Sequence, residues 1–416
     1  MSPKRTLNII KRIVKLPVRF IREPILDIRA SYYLKKQSKK KSSGKIKVGF
    51  IVQMSEVWDK EVDIYNEMKK RDNIDVYLIV VPYSDYDKPD KTLGYDGNYF
   101  IEHYTDVVKA VNADGSVIDI NNMAFDYIFY QRPYDHYLPK KLRSTELLKI
   151  AKCCYVPYGY SGSDVFNAGN TSPKFFRNMS FVFLESDYMK RVFDKKFRNN
   201  PVYKYQHIVS MGYPNLAQYF YMPKNKYVKR ILWTPRWSYD CKIGGSHFFE
   251  YKDLILKFKE EHSDIDMIFR PHPLMFDQFI SKGLMAPKSA DAFKEKLKQL
   301  SVIYDYDSMI SSAIADADLL ITDYSSIIIN FFLTGKPIIY CKANYELNDD
   351  YSHLSEGMYV AESEEELMKS IKMLLNGEDP LEEKRSQIIE SYKKIHLNSE
   401  RNIVDYLLDH NIENDS

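Results

Sequence analysis

The chain has 416 residues, 44% apolar and 28% charged, with only 15 Gly and 18 Pro, which supplies core for two ordinary domains and excludes fibrous and globally disordered classes. Its formal charge of +3 is unevenly spread: residues 1–47 hold 15 Lys or Arg against two acidic residues, a surplus of 13 that leaves −10 on the remainder. No apolar run is long enough to span a bilayer, no clean signal-peptide core is visible, and the four cysteines (Cys153, Cys154, Cys241, Cys341) lack metal-ligand spacing, so a reducing compartment without a disulfide framework is expected.

Within Leu7–Tyr33, Ile9, Ile10, Ile13, Val14, Leu16, Val18, Phe20, Ile21, Ile25, Leu26 and Ile28 interleave with Lys11, Arg12, Lys15, Arg19, Arg22 and Arg29. The spacing predicts two or three short amphipathic helices broken near Pro17 and Pro24, and Lys35–Lys41 extends the basic surface. Three readings stand open: association with an anionic membrane, packing onto the body of the protein, and nucleic-acid binding. The repeated Ile and Val favour lipid over nucleic acid, which rewards phosphate contacts more than apolar area, and the chain carries no nucleic-acid-binding signature.

From Lys45 onward the pattern alternates. Strands are expected at Lys45–Val52, Asp75–Val81, Tyr127–Tyr130 and Cys153–Val156, with helices at Val57–Lys70, His103–Val111 and Lys140–Ile150. The second half continues with strands at Arg230–Trp233, Asp266–Phe269, Val302–Tyr304, Ala317–Thr322 and Lys336–Tyr340. Helices are expected there at Tyr251–Glu261, Ala292–Gln299, Met309–Ala315, from Ile327, and at Glu364–Leu375 and Ser386–Ile395. Near-continuous apolar strands alternating with helices predict parallel sheets covered on both faces, hence two Rossmann-like α/β domains facing a central cleft. The boundaries are set at 1–45 for the basic arm, 46–222 for the first domain and 223–416 for the second, since Pro223-Lys224-Asn225-Lys226 separates the patterns.

Chemistry-bearing residues gather where strands end. Phe269-Arg270-Pro271-His272-Pro273 places Arg270 as a phosphate chelator and His272 as a hydrogen-bond donor or proton carrier. In Thr322-Asp323-Tyr324-Ser325-Ser326, Ser325 or Ser326 can cap a helix whose free amides take phosphate, while Asp323 orients Tyr324, a serine or the loop backbone. Thr234-Pro235-Arg236-Trp237 adds a second arginine, and Ser246-His247 beyond Gly244-Gly245 stays open between a cleft role and a surface loop. In the first half, Arg132 is a candidate for an acceptor phosphate, with His136 or Asp135 as activator of its hydroxyl. Tyr158 and Gly159 follow another strand, and Gly212-Tyr213-Pro214-Asn215 reads as a structural turn or a base-lining segment. For each motif a plain structural role, a cap, a packed arginine or a core histidine, remains the competing reading.

Taken in order, Gly212-Tyr213-Pro214-Asn215, Thr234-Pro235-Arg236, Arg270-Pro271-His272-Pro273 and Thr322-Asp323-Tyr324-Ser325-Ser326 resemble the CDP-glycerol glycerophosphotransferase family of teichoic-acid and related surface-polymer synthesis, over roughly residues 46–375. The resemblance implies a GT-B-like architecture and transfer of glycerol phosphate, or a related polyol phosphate, from a CDP-activated donor to a lipid-linked or growing polymer acceptor, with release of CMP. It implies a functional histidine at His272, phosphate binding at Ser325 and Ser326, and a peripheral location on the cytoplasmic face of the membrane. The family's Trp-His-Gly motif is matched only by Pro157-Tyr158-Gly159, so its histidine base is replaced by Tyr158, and an acidic residue after the Thr-Asp-Tyr-Ser-Ser segment is replaced by Asn330. His136 is the substitute base on this reading. No metal cage is visible, so no cofactor is required, while Mg²⁺ carried through the substrate stays compatible. Sugar transfer from a nucleotide-sugar on the same scaffold is the alternative, and a noncatalytic nucleotide sensor is a second class.

Overall fold

The computed structural model describes residues 22–42, 44–87, 97–164, 171–239, 245–306 and 310–411, so the part of the expected arm before residue 22 lies outside the described residues, as do Pro17, Cys241 and Gly244. The chain forms two compact units, one drawn from residues within 1–158, 170–212 and 400–416, the other from 159–169 and 213–399. A single boundary at 222/223 therefore assigns 159–169, 213–222 and 400–416 differently from the contacts; in the last case the helix Ser399–Asp409 returns to pack Ile403, Val404 and Leu407 into the first unit.

The first unit holds a seven-stranded, all-parallel sheet of β1 (Ile46–Val52), β2 (Ile74–Val80), β3 (Val107–Lys109), β4 (Tyr127–Tyr130), β5 (Lys152–Tyr155), β6 (Phe181–Leu184) and β7 (His207–Ser210), in the order β3-β2-β1-β4-β5-β6-β7. Side chains alternate across it as a strand's two-residue period requires. Phe50, Phe129 and Cys154 enter the core on one face, with the Phe50 and Phe129 rings stacked at 4.6 Å, while Ile51, Ile128 and Cys153 enter the other. The adjacent cysteines are thus buried, unpaired packing residues on opposite faces.

Two local expectations are corrected here. The helix expected over His103–Val111 ends at His103, and Val107–Lys109 instead extends the sheet edge in register with Leu78–Val80; ladder pairing of β-branched residues outweighs a weak helical period. The helix expected over Lys140–Ile150 divides into a turn at Lys140–Leu142 and a short helix at Ser144–Leu147, because the Asp135 carboxylate captures both N–H and hydroxyl of Ser144. The pattern also passed over β6, β7 and the intervening helix Asp187–Phe197, although Ser186 caps that helix and Phe193 and Phe197 carry its buried stripe.

Residues 22–38 are helical, Pro24 included, and the break expected near Pro17 lies outside the described residues. Ala30, Leu34 and Gln37 are buried against the first unit, and Arg177 pairs with Glu23 and with Asp27 at 3.1 Å. This stretch of the arm therefore packs onto the body. Ile25, Ile28 and Tyr32, at 58%, 65% and 65% exposure, point away from it.

The second unit repeats the plan without a repeat in sequence. Its parallel sheet comprises β8 (Arg230–Thr234), β9 (Asp266–Phe269), β10 (Ile303–Tyr304), β11 (Leu319–Thr322), β12 (Ile338–Cys341) and β13 (Tyr359–Ala361), ordered β10-β9-β8-β11-β12-β13. Ile231, Trp233, Phe269, Ile321 and Ile339 fill one face and Leu232, Ile268, Leu320 and Ile338 the other. In each sheet the strand order reverses once, between β1 and β4 and between β8 and β11, and crevices open at such reversals beyond the carboxyl ends of the strands.

Candidate functional site

At the reversal in the second unit, β8 and β11 pair in register with Thr234 opposite Thr322, and the Thr234 hydroxyl donates to Thr322 Oγ1 at 2.7 Å. Beyond this rung the chain leaves through Pro235-Arg236 on one strand and Asp323-Tyr324 on the other. Asp323 is 3% exposed, and its carboxylate accepts from the Arg236 N–H at 2.8 Å, the His247 N–H at 3.2 Å and His247 Nδ1 at 2.8 Å. It is a brace between loops, placed to orient Arg236 and His247 rather than to meet a phosphate. Burial opposes charge on His247, but the hydrogen bond and negative charge of Asp323 outweigh it and raise the imidazole above its ordinary pKa. Arg236 donates from Nη1 to the Tyr324 carbonyl at 2.9 Å and lies over the Tyr324 ring, 5.3 Å from its centroid.

His272 follows β9 on the same edge. Its N–H donates to the Pro235 carbonyl at 3.4 Å, and its ring lies 5.9 Å from that of Trp237. Nδ1 accepts from the Leu274 N–H at 3.2 Å, which fixes the proton of the neutral ring on Nε2. Surrounding protein, then the Arg236 cation, push its pKa down to about 4. The residue also keeps a solvent-exposed edge. His272 is therefore a neutral Nε2–H donor beside an arginine. Arg270 Nη1 donates to Asp305 at 2.6 Å, an ion pair that offsets part of its charge. Ser325 Oγ accepts from the Ile327 N–H at 3.4 Å, whereas Ser326 is exposed and makes no capping bond; the helix they precede is the six-residue Ile327–Phe332.

The structure thus gathers Arg236, His272, Thr322, Asp323 and Ser325 at one sheet edge and adds His247, which the sequence had left open. Its legible signal was the pair Gly244-Gly245 just before Ser246-His247; what was not legible was the partner, Asp323, 76 residues away.

In the first unit, the reversal between β1 and β4 is closed by glutamines. Gln131 Oε1 accepts from the Gln53 and Met54 N–H groups at 2.9 and 3.0 Å, and Gln131 Nε2 donates to the Met54 carbonyl at 2.7 Å. Arg132 donates to Gln53 Oε1 at 3.2 Å, and its guanidinium packs against a pair of tyrosine rings, 4.3 Å from the Tyr83 centroid and 4.9 Å from that of Tyr137. Asp135 is corrected from activator to anchor: both oxygens serve Ser144, and burial raises its pKa. The His136 ring lies 4.0 Å from that of Tyr137, tilted by 41°, and the Tyr158 hydroxyl shares a hydrogen bond with that of Tyr134 at 2.9 Å. Gly159 shows neither a left-handed φ nor a crowded α-carbon. Gly212 has φ +78°, and the next amide, Tyr213 N–H, donates to buried His396 Nδ1 at 2.9 Å.

Sequence reasoning missed a buried ion pair here. In helix Asp59–Lys69, Lys60 and Glu61 are fully buried; Lys60 Nζ donates to the Gln131 and Val156 carbonyls at 2.8 and 2.6 Å and lies 3.6 Å from Glu61. Burial lowers the lysine and raises the glutamic acid to about 7, each against the pull of its partner. Two charges on the stripe that also carries Ile64 and Met68 were the readable sign. Among the described residues no group of three or more His, Cys, Asp or Glu is placed to hold a metal ion, and no helix is long and apolar enough to cross a membrane.

Residues 159–409 match the family model described as CDP-glycerol:poly(glycerophosphate) glycerophosphotransferase. A teichoic acid poly(ribitol-phosphate) polymerase of Bacillus spizizenii is 22% identical over 258 residues, 56% of this chain but 38% of that protein, so the match spans well under half of the relative's length. Among solved structures, the wall teichoic acid polymerase TagF, in a structure with CDPG, aligns with TM-score 0.51 and 16% identity over 98% of both chains. A UDP-GlcNAc 2-epimerase of Methanocaldococcus jannaschii aligns with TM-score 0.52 and 14% identity over 88% of this chain and all of the other. At these identities the structural likeness establishes the GT-B-like fold and does not choose between the activities.

Proposed function

Because the chain belongs to the CDP-glycerol:poly(glycerophosphate) glycerophosphotransferase family, we propose that it transfers a polyol phosphate from a CDP-linked donor to a hydroxyl of a growing surface polymer. The observation that carries this reading is the convergence of Arg236, neutral His272 and the Asp323–His247 pair outside β8, β9 and β11. An acceptor oxygen attacks the phosphorus that bears the alcohol, the bond to the CMP phosphate breaks, and the hydroxyl proton passes to a base. Arg236 supplies positive charge for the pyrophosphate, the Asp323–His247 pair holds the Arg236 backbone in place, and His272 Nε2–H donates to a phosphate oxygen as charge builds on it. The mechanism requires no resident metal and accommodates Mg²⁺ carried by the donor phosphates. With Asp135 committed to Ser144, His136 is the residue left for proton acceptance in the first unit.

Ribitol phosphate competes with glycerol phosphate as the transferred unit, given the Bacillus relative. Purified protein is offered CDP-glycerol, CDP-ribitol and nucleotide-sugars with an oligomeric polyol-phosphate acceptor. Release of CMP with an acceptor enlarged by phosphoalcohol supports the proposal; a product gaining sugar without phosphate rejects it. Membrane attachment is part of the same reading, supported by Ile25, Ile28 and Tyr32 on the outer side of helix 22–38 beside Arg22, Arg29, Lys35, Lys36 and Lys39. Replacing the three apolar residues by Ser should lower partitioning onto anionic vesicles without unfolding; unchanged partitioning removes this face as the contact.

A further inference from the structure

The edge of the first sheet opposite its loop-bearing end encloses a second polar cavity. The strands are parallel, so β5, β6 and β7 all begin there, and the cavity of about 410 Å³ is lined by Lys152, Ser180, Phe181 and His207 from these strand starts. Leu34, Ser38 and Lys41 from helix 22–38 and its exit, with Asp409 and His410 at the end of helix Ser399–Asp409, complete it together with Tyr205.

The lining carries two ammonium groups, Lys152 and Lys41, and one carboxylate, Asp409. Lys152 is 3% exposed, and the contacts of its ammonium to Tyr127 Oη and Asn411 Oδ1 are long, at 3.4 and 3.3 Å. Its position is strained electrostatically: burial, then neighbouring Lys41, lower it to about 8. His207 is driven to about 4 by burial, His410 and Lys152. Lys41 answers the His410 carbonyl at 3.2 Å, so the negative end of the last helix is already met by a cation. His410 Nδ1 donates to the Tyr406 carbonyl at 2.7 Å, which turns Nε2 outward, and its ring lies 4.4 Å from that of His207. Ser180 is 5% exposed, lines the cavity, and its hydroxyl is buried without a hydrogen-bond partner. A buried hydroxyl left so is unfavourable, and an oxygen-rich ligand relieves it.

We propose that this cavity is a binding site for a phosphate ester, distinct from the donor site, in which Lys152, Lys41 and Ser180 hold the phosphate and Leu34, Phe181 and Tyr205 flank its organic part. The cavity exceeds a bare ion in size, and its apolar walls favour an ester over inorganic phosphate. The same chemistry reaches it from two sources, a phospholipid headgroup or a soluble polyol phosphate. The site is independent of the proposed transferase activity.

The test uses the full chain with ¹³C-labelled histidine, titrated with inorganic phosphate and with glycerol phosphate, following His207 and His410 by NMR. Both rings should shift saturably, glycerol phosphate should bind more tightly, and Lys152→Gln should weaken binding by roughly ten-fold. Ser180→Ala and Lys41→Gln should each weaken it by about three-fold, which keeps the test decisive if Lys152→Gln does not fold. The donor-site variant Arg236→Ala should bind as the parent does. Absent saturation, indifference to Lys152→Gln, Ser180→Ala and Lys41→Gln, or loss in Arg236→Ala would overturn the site. In a second arm, phosphatidylcholine vesicles containing phosphatidylglycerol replace the soluble probe. Vesicle binding that glycerol phosphate displaces and Ser180→Ala weakens assigns the lipid headgroup; soluble binding with no vesicle effect assigns the polyol phosphate, and either upholds the cavity.

Discussion

His272 illustrates how a main-chain contact fixes side-chain chemistry. With Nδ1 accepting from Leu274, only Nε2–H faces outward, and a ring held below its ordinary pKa stays neutral through the physiological range. His272→Ala should lower kcat roughly 100-fold with the circular dichroism spectrum retained, and Gln, whose amide reaches the Nε2 position, should recover more activity than Asn. Equal losses for Ala and Gln would remove the donor role. His247 carries the opposite sign. Its pKa is raised, so its charged pairing with Asp323 is complete below the unfolded value and is lost as pH climbs through the folded one. A falling alkaline limb in kcat/KM is therefore expected, and Asp323→Asn should move the His247 titration downward by NMR. A titration unmoved by that substitution would detach His247 from Asp323.

Among the elements, the glycines separate cleanly. Gly212→Ala forces a side chain into φ +78° and should cost about 1–2 kcal/mol, read from the urea midpoint, whereas Gly159→Ala meets nothing within 4 Å and should leave it unchanged. Helix 22–38 gives a sharper test of where the arm ends. Leu34 is 1% exposed within the first unit's core, so Leu34→Ala should destabilise that unit by about 2–5 kcal/mol, while a free arm would register no change. The sequence displayed this helix's apolar residues, but which of them face protein depends on Arg177, some 150 residues later, gripping Glu23 and Asp27.

For the molecule as a whole, acid should weaken the second unit through His396, which is 1% exposed and accepts the Tyr213 N–H on Nδ1. Its folded pKa of about 4 lies below the unfolded value, so the neutral ring's contribution is complete above about pH 6.5 and declines as pH falls toward 4, by up to about 3 kcal/mol. Urea midpoints at pH 7 and pH 5 measure this, and His396→Gln should flatten the difference; an equal slope in the variant would reassign it. The class of fold followed from sequence alone, because near-continuous apolar runs such as Ile46–Val52 and Leu319–Thr322 can be satisfied only by a sheet buried on both faces. The ordered motifs likewise announced phosphate chemistry around Arg236, His272 and Ser325. Tertiary structure decided which charges remain available: Arg270 is met by Asp305, Asp135 by Ser144, and Asp323 by a histidine 76 residues away. The Arg270–Asp305 and His247–Asp323 pairs join loops 35 and 76 residues apart in the chain, and a local pattern holds no record of which partner a folded sheet will bring across.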